Sequence, residues 1–325
     1  MGPTDRELFE GVRAAQPRAL AKAITLVEST RGDHQRRAQA LLQALQPYAG
    51  RAIRIGISGA PGVGKSTFVE ALGLHAIELG HRVAVLAVDP SSALTGGSIL
   101  GDKTRMELLA RSASAYIRPS PAAGTLGGVA ARTRESLLVC EAGGFDVIVV
   151  ETVGVGQSET AVAGMTDAFV LLQLPNAGDD LQAMKKGIVE LADLIVINKA
   201  DLDQKAAQLA QSQFESVLPV LQHRTPGWNP SVQVASALTR QGIADFWTQI
   251  DRFRESMQAS GEFEARRRTQ ALRWMWDLIE LTLREQFASN PDVKRELPAL
   301  AAAVQNGSVA ATAAARRLLE LAGVH

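Results

Sequence analysis

Gly59-Ala60-Pro61-Gly62-Val63-Gly64-Lys65-Ser66 is the stretch that decides the fold. It fits the phosphate-binding pattern G-x-x-x-x-G-K-[ST]. Ile53, Ile55 and Ile57 alternate just ahead of it, as a strand would, and Thr67-Phe68-Val69-Glu70-Ala71-Leu72 continue as an amphipathic helix. The glycines let backbone N–H groups turn inward around a phosphate, and the helix N-terminus adds partial positive charge at the same point. In that setting Lys65 reaches the β- and γ-phosphates and the Ser66 hydroxyl binds Mg²⁺. Strand, loop and helix in this order imply a nucleotide site.

Outward from the loop, short apolar runs alternate with helical patterns. The runs are Ile53–Ser58, Val83–Val88, Ala115–Arg118, Val147–Val150, Ala168–Leu174 and Leu194–Asn198, with a weaker one at Val232–Ala235. Strands separated by helices predict right-handed crossovers and a mainly parallel sheet, an α/β P-loop fold with helices on both faces. Ligands of such sheets bind at the carboxyl ends of the strands.

The candidate polar residues follow strand ends. Asp89 closes Val83–Val88, Asp102 lies in Gly101-Asp102-Lys103, and Glu151 closes Val147–Val150. Magnesium takes oxygen ligands and keeps several waters, so one or two carboxylates plus Ser66 and phosphates suffice. Each acid alone could equally be a helix cap or turn residue. Their common placement on the P-loop side favours the metal reading, most strongly for Glu151 and Asp89. Glu151-Thr152-Val153-Gly154 keeps the register of a D-x-x-G switch with Glu for Asp, and Gly154 could offer its N–H to a γ-phosphate. No activating glutamine is evident near Glu151, so hydrolysis is expected to be slow without a partner.

Asn198-Lys199-Ala200-Asp201 follows the run Leu194–Ile197 and matches N-K-x-D, the guanine-reading motif of GTPases. A carboxylate accepts both the N1–H and the 2-amino hydrogens of guanine, a donor pair that adenine lacks. The Lys199 stem would lie along the base and Asn198 would tie the loop together. Ser236-Ala237-Leu238, after the next strand, occupies the place of the loop whose backbone contacts the guanine oxygen. These features point to GTP and GDP as the nucleotides.

Composition sets limits. The 325 residues carry 34 basic and 34 acidic side chains, and this neutral balance gives no global electrostatic case for nucleic acid or an anionic membrane. The single cysteine, Cys140, excludes an intrachain disulfide and lies in an apolar run, as a buried, inert thiol would. Absence of an 18-residue apolar run and of a basic-then-apolar leader makes a cytoplasmic protein the expectation. Residues 1–50 read as a helical extension, 51–260 as the P-loop domain and 261–325 as a helical arm. In the arm, Leu272, Trp276, Ile279 and Leu283 share one helix face, while Trp274 and Trp276 cannot. The triplet Arg266-Arg267-Arg268 reads as a solvated face.

Across nearly its whole length the chain resembles the MeaB/MMAA (ArgK-type) G-protein chaperones of methylmalonyl-CoA mutase. The resemblance is carried by Gly59–Thr67, Val88-Asp89-Pro90-Ser91-Ser92, Gly96–Met106, Glu151–Glu159, Gly178–Gly187 and Asn198–Asp201. It implies a SIMIBI-type GTPase that binds GTP with Mg²⁺ and forms a homodimer through the C-terminal arm. It also implies a separate partner polypeptide, an adenosylcobalamin-dependent acyl-CoA mutase, whose cofactor loading and release the GTPase gates and which it protects from inactivation. Asp89 and Asp102 match acids of a first switch and Glu151 a second. Gly178–Lys186 matches a third switch, with Lys185 at the position that couples hydrolysis to the mutase. From composition alone that loop reads as an ordinary strand-to-helix connection. It departs from the family pattern at Asn176, where glycine is commoner; asparagine tolerates left-handed angles better than most residues. Two other classes compete. A metabolic kinase need not read guanine, and a nickel- or cobalt-type metallochaperone needs more than five scattered histidines and one cysteine.

Overall fold

The computed structural model describes residues 2–88, 106–118, 126–152, 158–175, 186–221 and 224–323. Asp89, Asp102, Gly154 and Lys185 lie outside the described residues, as does most of the loop Gly178–Lys186. Two compact units are formed, Met1–Gln270 and Ala271–His325.

The first unit is built on seven strands: β1 Ile53–Gly59, β2 Val83–Val88, β3 Ala115–Arg118, β4 Val147–Thr152, β5 Ala168–Gln173, β6 Leu194–Ile197 and β7 Ser231–Val234. They pair in the order β3-β2-β4-β1-β5-β6-β7, and every described pairing is parallel. The near-continuous apolar runs have a simple cause: both faces are covered, so alternate residues of one strand enter different cores. Ile55, Ile57, Val149, Val170 and Val196 join Phe68, Leu72, Phe246 and Phe253 on one face. Ala84, Leu86, Ile148, Phe169 and Ile195 join Leu20, Ile24, Leu41 and Leu137 on the other.

The first face is covered by α4 (Lys65–Glu78), the short α5 (Glu107–Ala110) and α10 (Ile243–Ala259). The opposite face takes three N-terminal helices, α1 (Pro3–Arg13), α2 (Pro17–Val27) and α3 (Gly32–Leu45), together with α6 (Leu126–Ala142) and α9 (Gln204–Val217). The fixed φ of Pro17 suits the first turn of α2, where its missing N–H costs nothing. Leu20, Ala23, Ile24 and Val27 then bury one stripe of that helix. Short helices α7 (Ser158–Ala163) and α8 (Lys186–Leu191) follow β4 and precede β6. Cys140 is fully buried, and desolvation pushes its thiol far above the ordinary range.

At the amino ends of the strands a buried ionic cluster closes the sheet. Asp167 precedes β5 and Asp193 precedes β6, and their side chains are 1% exposed. Asp167 accepts from Arg267 Nε at 2.8 Å and Nη2 at 2.6 Å, and from the Arg54 backbone N–H at 2.8 Å. Asp193 accepts from the Phe169 N–H at 2.8 Å and from Thr225 Oγ1, and it faces Arg266 at 3.4 Å. This overturns the solvated reading of the basic triplet. Arg266 is buried and Arg267 ion-paired, because the two carboxylates need charged donors; Arg268 alone is exposed.

Arg266 and Arg267 belong to the start of α11 (Glu262–Ser289), which follows Gly261 at φ +72°. The second unit continues α11 and adds α12 (Pro291–Gln305) and α13 (Ala311–Leu321). Leu272, Trp276, Ile279 and Leu283 are 61, 59, 38 and 59% exposed, while Trp274 is half-buried. Among the described residues no helix is long and apolar enough to cross a membrane.

Candidate nucleotide site

The P-loop leaves β1 at Gly59 and enters α4 at Lys65. Its glycines are forced by space as much as by angle. Gly64 has φ +94°, and a Cβ there would stand 2.8 Å from Asn198 Nδ2. A Cβ on Gly59 would lie 2.5 Å from the Leu172 carbonyl of β5. Gly64 is also the N-cap of α4 and supplies no capping side chain. The first-turn N–H groups of α4 are therefore aimed into the loop without an intramolecular side-chain acceptor at that cap, the arrangement that suits a phosphate.

Lys65 is 8% exposed, and its Nζ donates to the carbonyls of Gly59 at 2.8 Å and Ala60 at 3.1 Å. An ammonium has three donors, so these two bonds leave one for a ligand. Desolvation holds its pKa below the ordinary value, and the charges of Glu151 and Glu159 oppose that shift. Ala60, Pro61 and Gly62 form the exposed crest of the loop, Val63 is fully buried beneath it, and Thr67 is exposed in the first turn of α4.

Glu151 lies on β4, with Ile57 of β1 as its cross-strand partner. Its Oε1 accepts from Ser66 Oγ at 2.9 Å, and the residue is 6% exposed. A hydroxyl and a carboxylate in contact at the rim of a phosphate loop form an oxygen-only donor set. That set fits a hard cation such as Mg²⁺, with Ser66 and Glu151 as the groups that would hold it directly or through water.

The base-reading candidates assemble around the same loop. Asn198 is 1% exposed and works in two directions: Nδ2 donates to Val63 O at 2.9 Å, while Oδ1 accepts from Ala237 N at 3.0 Å. One side chain thus fastens both the P-loop and the Ser236-Ala237-Leu238 segment. Lys199 takes a left-handed φ of +62°. Its Cε would be 3.6 Å from a Cβ on Gly64, so its stem runs along the P-loop. Asp201 is exposed, and its Oδ1 accepts from Ser236 Oγ at 2.5 Å. Ser236 in turn accepts from Thr239 N at 3.2 Å and pairs by its own N–H with Gln241 O at 3.0 Å. Leu238 is 77% exposed beside them.

The structure therefore gathers Gly59–Thr67, Glu151, Asn198, Lys199, Asp201 and Ser236–Leu238 at the carboxyl edge of the sheet. Two features went unread in the sequence. Ser236 supports Asp201 through its hydroxyl, in addition to any backbone contact of its loop. Thr152 Oγ1 donates to Ser58 Oγ at 3.0 Å, with both residues fully buried. The only sequence signal for that second pair was polar residues at the ends of otherwise apolar strands.

Comparison with known proteins agrees with this geometry. Residues 20–292 match the family model described as "Methylmalonyl Co-A mutase-associated GTPase MeaB". A putative GTPase of Caulobacter vibrioides is 55% identical over 320 residues, covering 98% of this chain and 97% of that protein. GTPase ArgK of Escherichia coli is 47% identical over 316 residues, covering 97% and 94%. The mouse (Mus musculus) protein named "Methylmalonic aciduria type A homolog, mitochondrial" is 48% identical over 324 residues, covering 96% of this chain and 78% of its own. A crystal structure described as an LAO/AO transport system kinase superposes with a TM-score of 0.78 at 39% identity, covering 98% of both chains. The chain is a P-loop GTPase and belongs to the family of methylmalonyl-CoA mutase-associated GTPases.

Proposed function

We propose that this GTPase serves a separate polypeptide, an adenosylcobalamin-dependent acyl-CoA mutase, by gating the loading and release of its cofactor and protecting it from inactivation. The observation that carries the reading is the family match over residues 20–292, whose description names the mutase as the associated protein. The site adds physical support. Lys65 and the α4 N-terminus offer charge to the phosphates, and Asp201 with the Ser236–Leu238 loop reads the base. Ser66 and Glu151 would hold Mg²⁺, which when bound would supply charge stabilisation of the transferring phosphoryl group.

Asp89, Asp102 and Gly154 complete the metal and γ-phosphate contacts in this reading. Lys185, the residue that precedes α8 in the sequence, couples hydrolysis to the partner. Alone the enzyme is slow, and the mutase stimulates it. Two copies associate through the exposed apolar face of α11, and the complex works in the cytoplasm.

The deciding experiment is a pull-down from an extract of the native organism with the protein loaded with non-hydrolysable GTP. A cobalamin-dependent mutase should be recovered. Its absence, together with ATP binding as tightly as GTP, would defeat the proposal. The description of one solved relative as a kinase raises a second reading. Following the γ-phosphate label separates the two: a hydrolase releases it as inorganic phosphate, and a kinase transfers it to an acceptor.

A further inference from the structure

The hydroxyl pair Ser58–Thr152 has no place in the chemistry described so far. Neither residue can touch a nucleotide, since both are fully buried. Yet Ser58 directly precedes Gly59 of the P-loop, and Thr152 directly follows Glu151. Valine at either position would satisfy the sheet, because β-branched apolar side chains pack well on a covered strand. A buried hydroxyl gains little net stability from one hydrogen bond and loses its hydration. Stability is thus a poor reason for the pair to be there.

Its position gives a better one. The last backbone-paired rung between β1 and β4 is Ile57↔Glu151. On the β1 side the Thr152-to-Ser58 bond, at 3.0 Å, is the next rung, made by side chains where the β1–β4 main-chain ladder has ended. On its other side β4 stays paired with β2 as far as Val88↔Thr152. Side chains alternate between faces along a strand. Glu151 therefore points toward α4 and Ser66, while Thr152 pins the same strand end from the opposite face. We infer that Ser58 and Thr152 are a positioning pair that holds Glu151 at hydrogen-bonding distance from Ser66, so that they set Mg²⁺ affinity without contributing to nucleotide affinity. This rests on the reading of Glu151 as a metal-side carboxylate.

The test uses the full-length protein with a fluorescent GDP analogue. Its Kd is measured in EDTA, its Mg²⁺ dependence is titrated, and single-turnover GTP hydrolysis is followed at low and high Mg²⁺. Thr152→Val should leave the metal-free GDP affinity within about twofold of wild type. It should raise the half-saturating Mg²⁺ concentration about tenfold, the low end of what groups orienting a metal ligand contribute. Hydrolysis should fall at low Mg²⁺ and recover at high Mg²⁺, and Thr152→Ser should restore wild-type behaviour. Ser58→Ala should reproduce the valine variant, and the double variant should be no worse than either single one.

An unchanged Mg²⁺ curve in either single variant overturns the inference, as does an equal loss of metal-free GDP affinity. Glu151→Gln is the control for the underlying reading. If it also leaves the Mg²⁺ curve unmoved, the metal assignment of Glu151 falls along with the pair. If it shifts the curve while Thr152→Val does not, only the pair is refuted.

Discussion

At the residue scale, Asp201 is the sharpest test of base reading. Its carboxylate is held by the Ser236 hydroxyl at 2.5 Å and stands at the exposed mouth of the site. Changing it to asparagine keeps the size but replaces one acceptor oxygen by an NH₂ donor. Asp201→Asn should therefore weaken GTP binding by about 10- to 100-fold, the worth of a charge-assisted hydrogen bond. It should improve binding of xanthosine triphosphate, whose C2 carbonyl accepts where guanine donates. Competition against a labelled guanine nucleotide reads both changes, and unchanged GTP affinity would refute the assignment. Glu135 on α6 offers a separate pH test. Burial raises its pKa from 4.5 to about 7, with the Arg132 charge opposing. The folded state then holds a proton that the unfolded chain has released, so this group's contribution to stability falls as pH climbs from about 4.5 to about 7. Glu135→Gln stays neutral and should be more stable than wild type at pH 8, by up to about 3 kcal/mol. The advantage should vanish toward pH 4.5. Urea denaturation at the two pH values checks the sign.

At the scale of elements, α11 enters the first unit through its two arginines. Arg267 donates twice to Asp167 and also to the carbonyls of Gly50 at 2.7 Å and Ala52 at 2.6 Å, tying the approach to β1 and the start of β5 to the helix. Arg267→Met would leave the Asp167 carboxylate buried without its charged partner. The expected loss is about 3–5 kcal/mol, measured as a drop in urea midpoint at unchanged slope. This cluster shows where sequence reading stopped. The strands were legible because their apolar runs are local, and all seven expected runs coincide with observed strands to within a residue or two. The basic triplet was misread because its partners lie far away in the chain, with Arg267 and Asp167 separated by 100 positions. Local charge spacing carries no information about such a pairing. The nucleotide loops were legible for the opposite reason. Phosphate and guanine impose fixed residue types at fixed spacing, so Gly64, Asn198 and Asp201 announce themselves before any contact is seen. Ser58 and Thr152 do not, since a hydroxyl at a strand end has many uses and only their 3.0 Å separation distinguishes them.

At the scale of the whole molecule, the remaining question is what covers α11 beyond residue 270. The face formed by Leu272, Met275, Trp276, Ile279 and Leu283 exposes between 38 and 61% of each side chain. Beside it, Trp274, Met275, Leu278 and Ile279 line a shallow cavity of about 520 Å³. Large contiguous apolar patches on a soluble surface mark contact sites, and a helix face self-complementary under a two-fold axis is the simplest way to close one. If two copies meet here, glutamates at Leu272 and Ile279 place like charges opposite one another in an apolar contact, which costs far more than the exposed monomer pays. On the proposed dimer, Leu272→Glu/Ile279→Glu should sediment as a monomer at concentrations where the unaltered protein is expected to sediment as two copies. Its affinity for GDP should be unchanged, because no residue of the nucleotide site belongs to this unit. A variant that remains dimeric would assign the contact to another surface. A monomer that also loses GDP binding would mean that each site needs the second copy for its assembly.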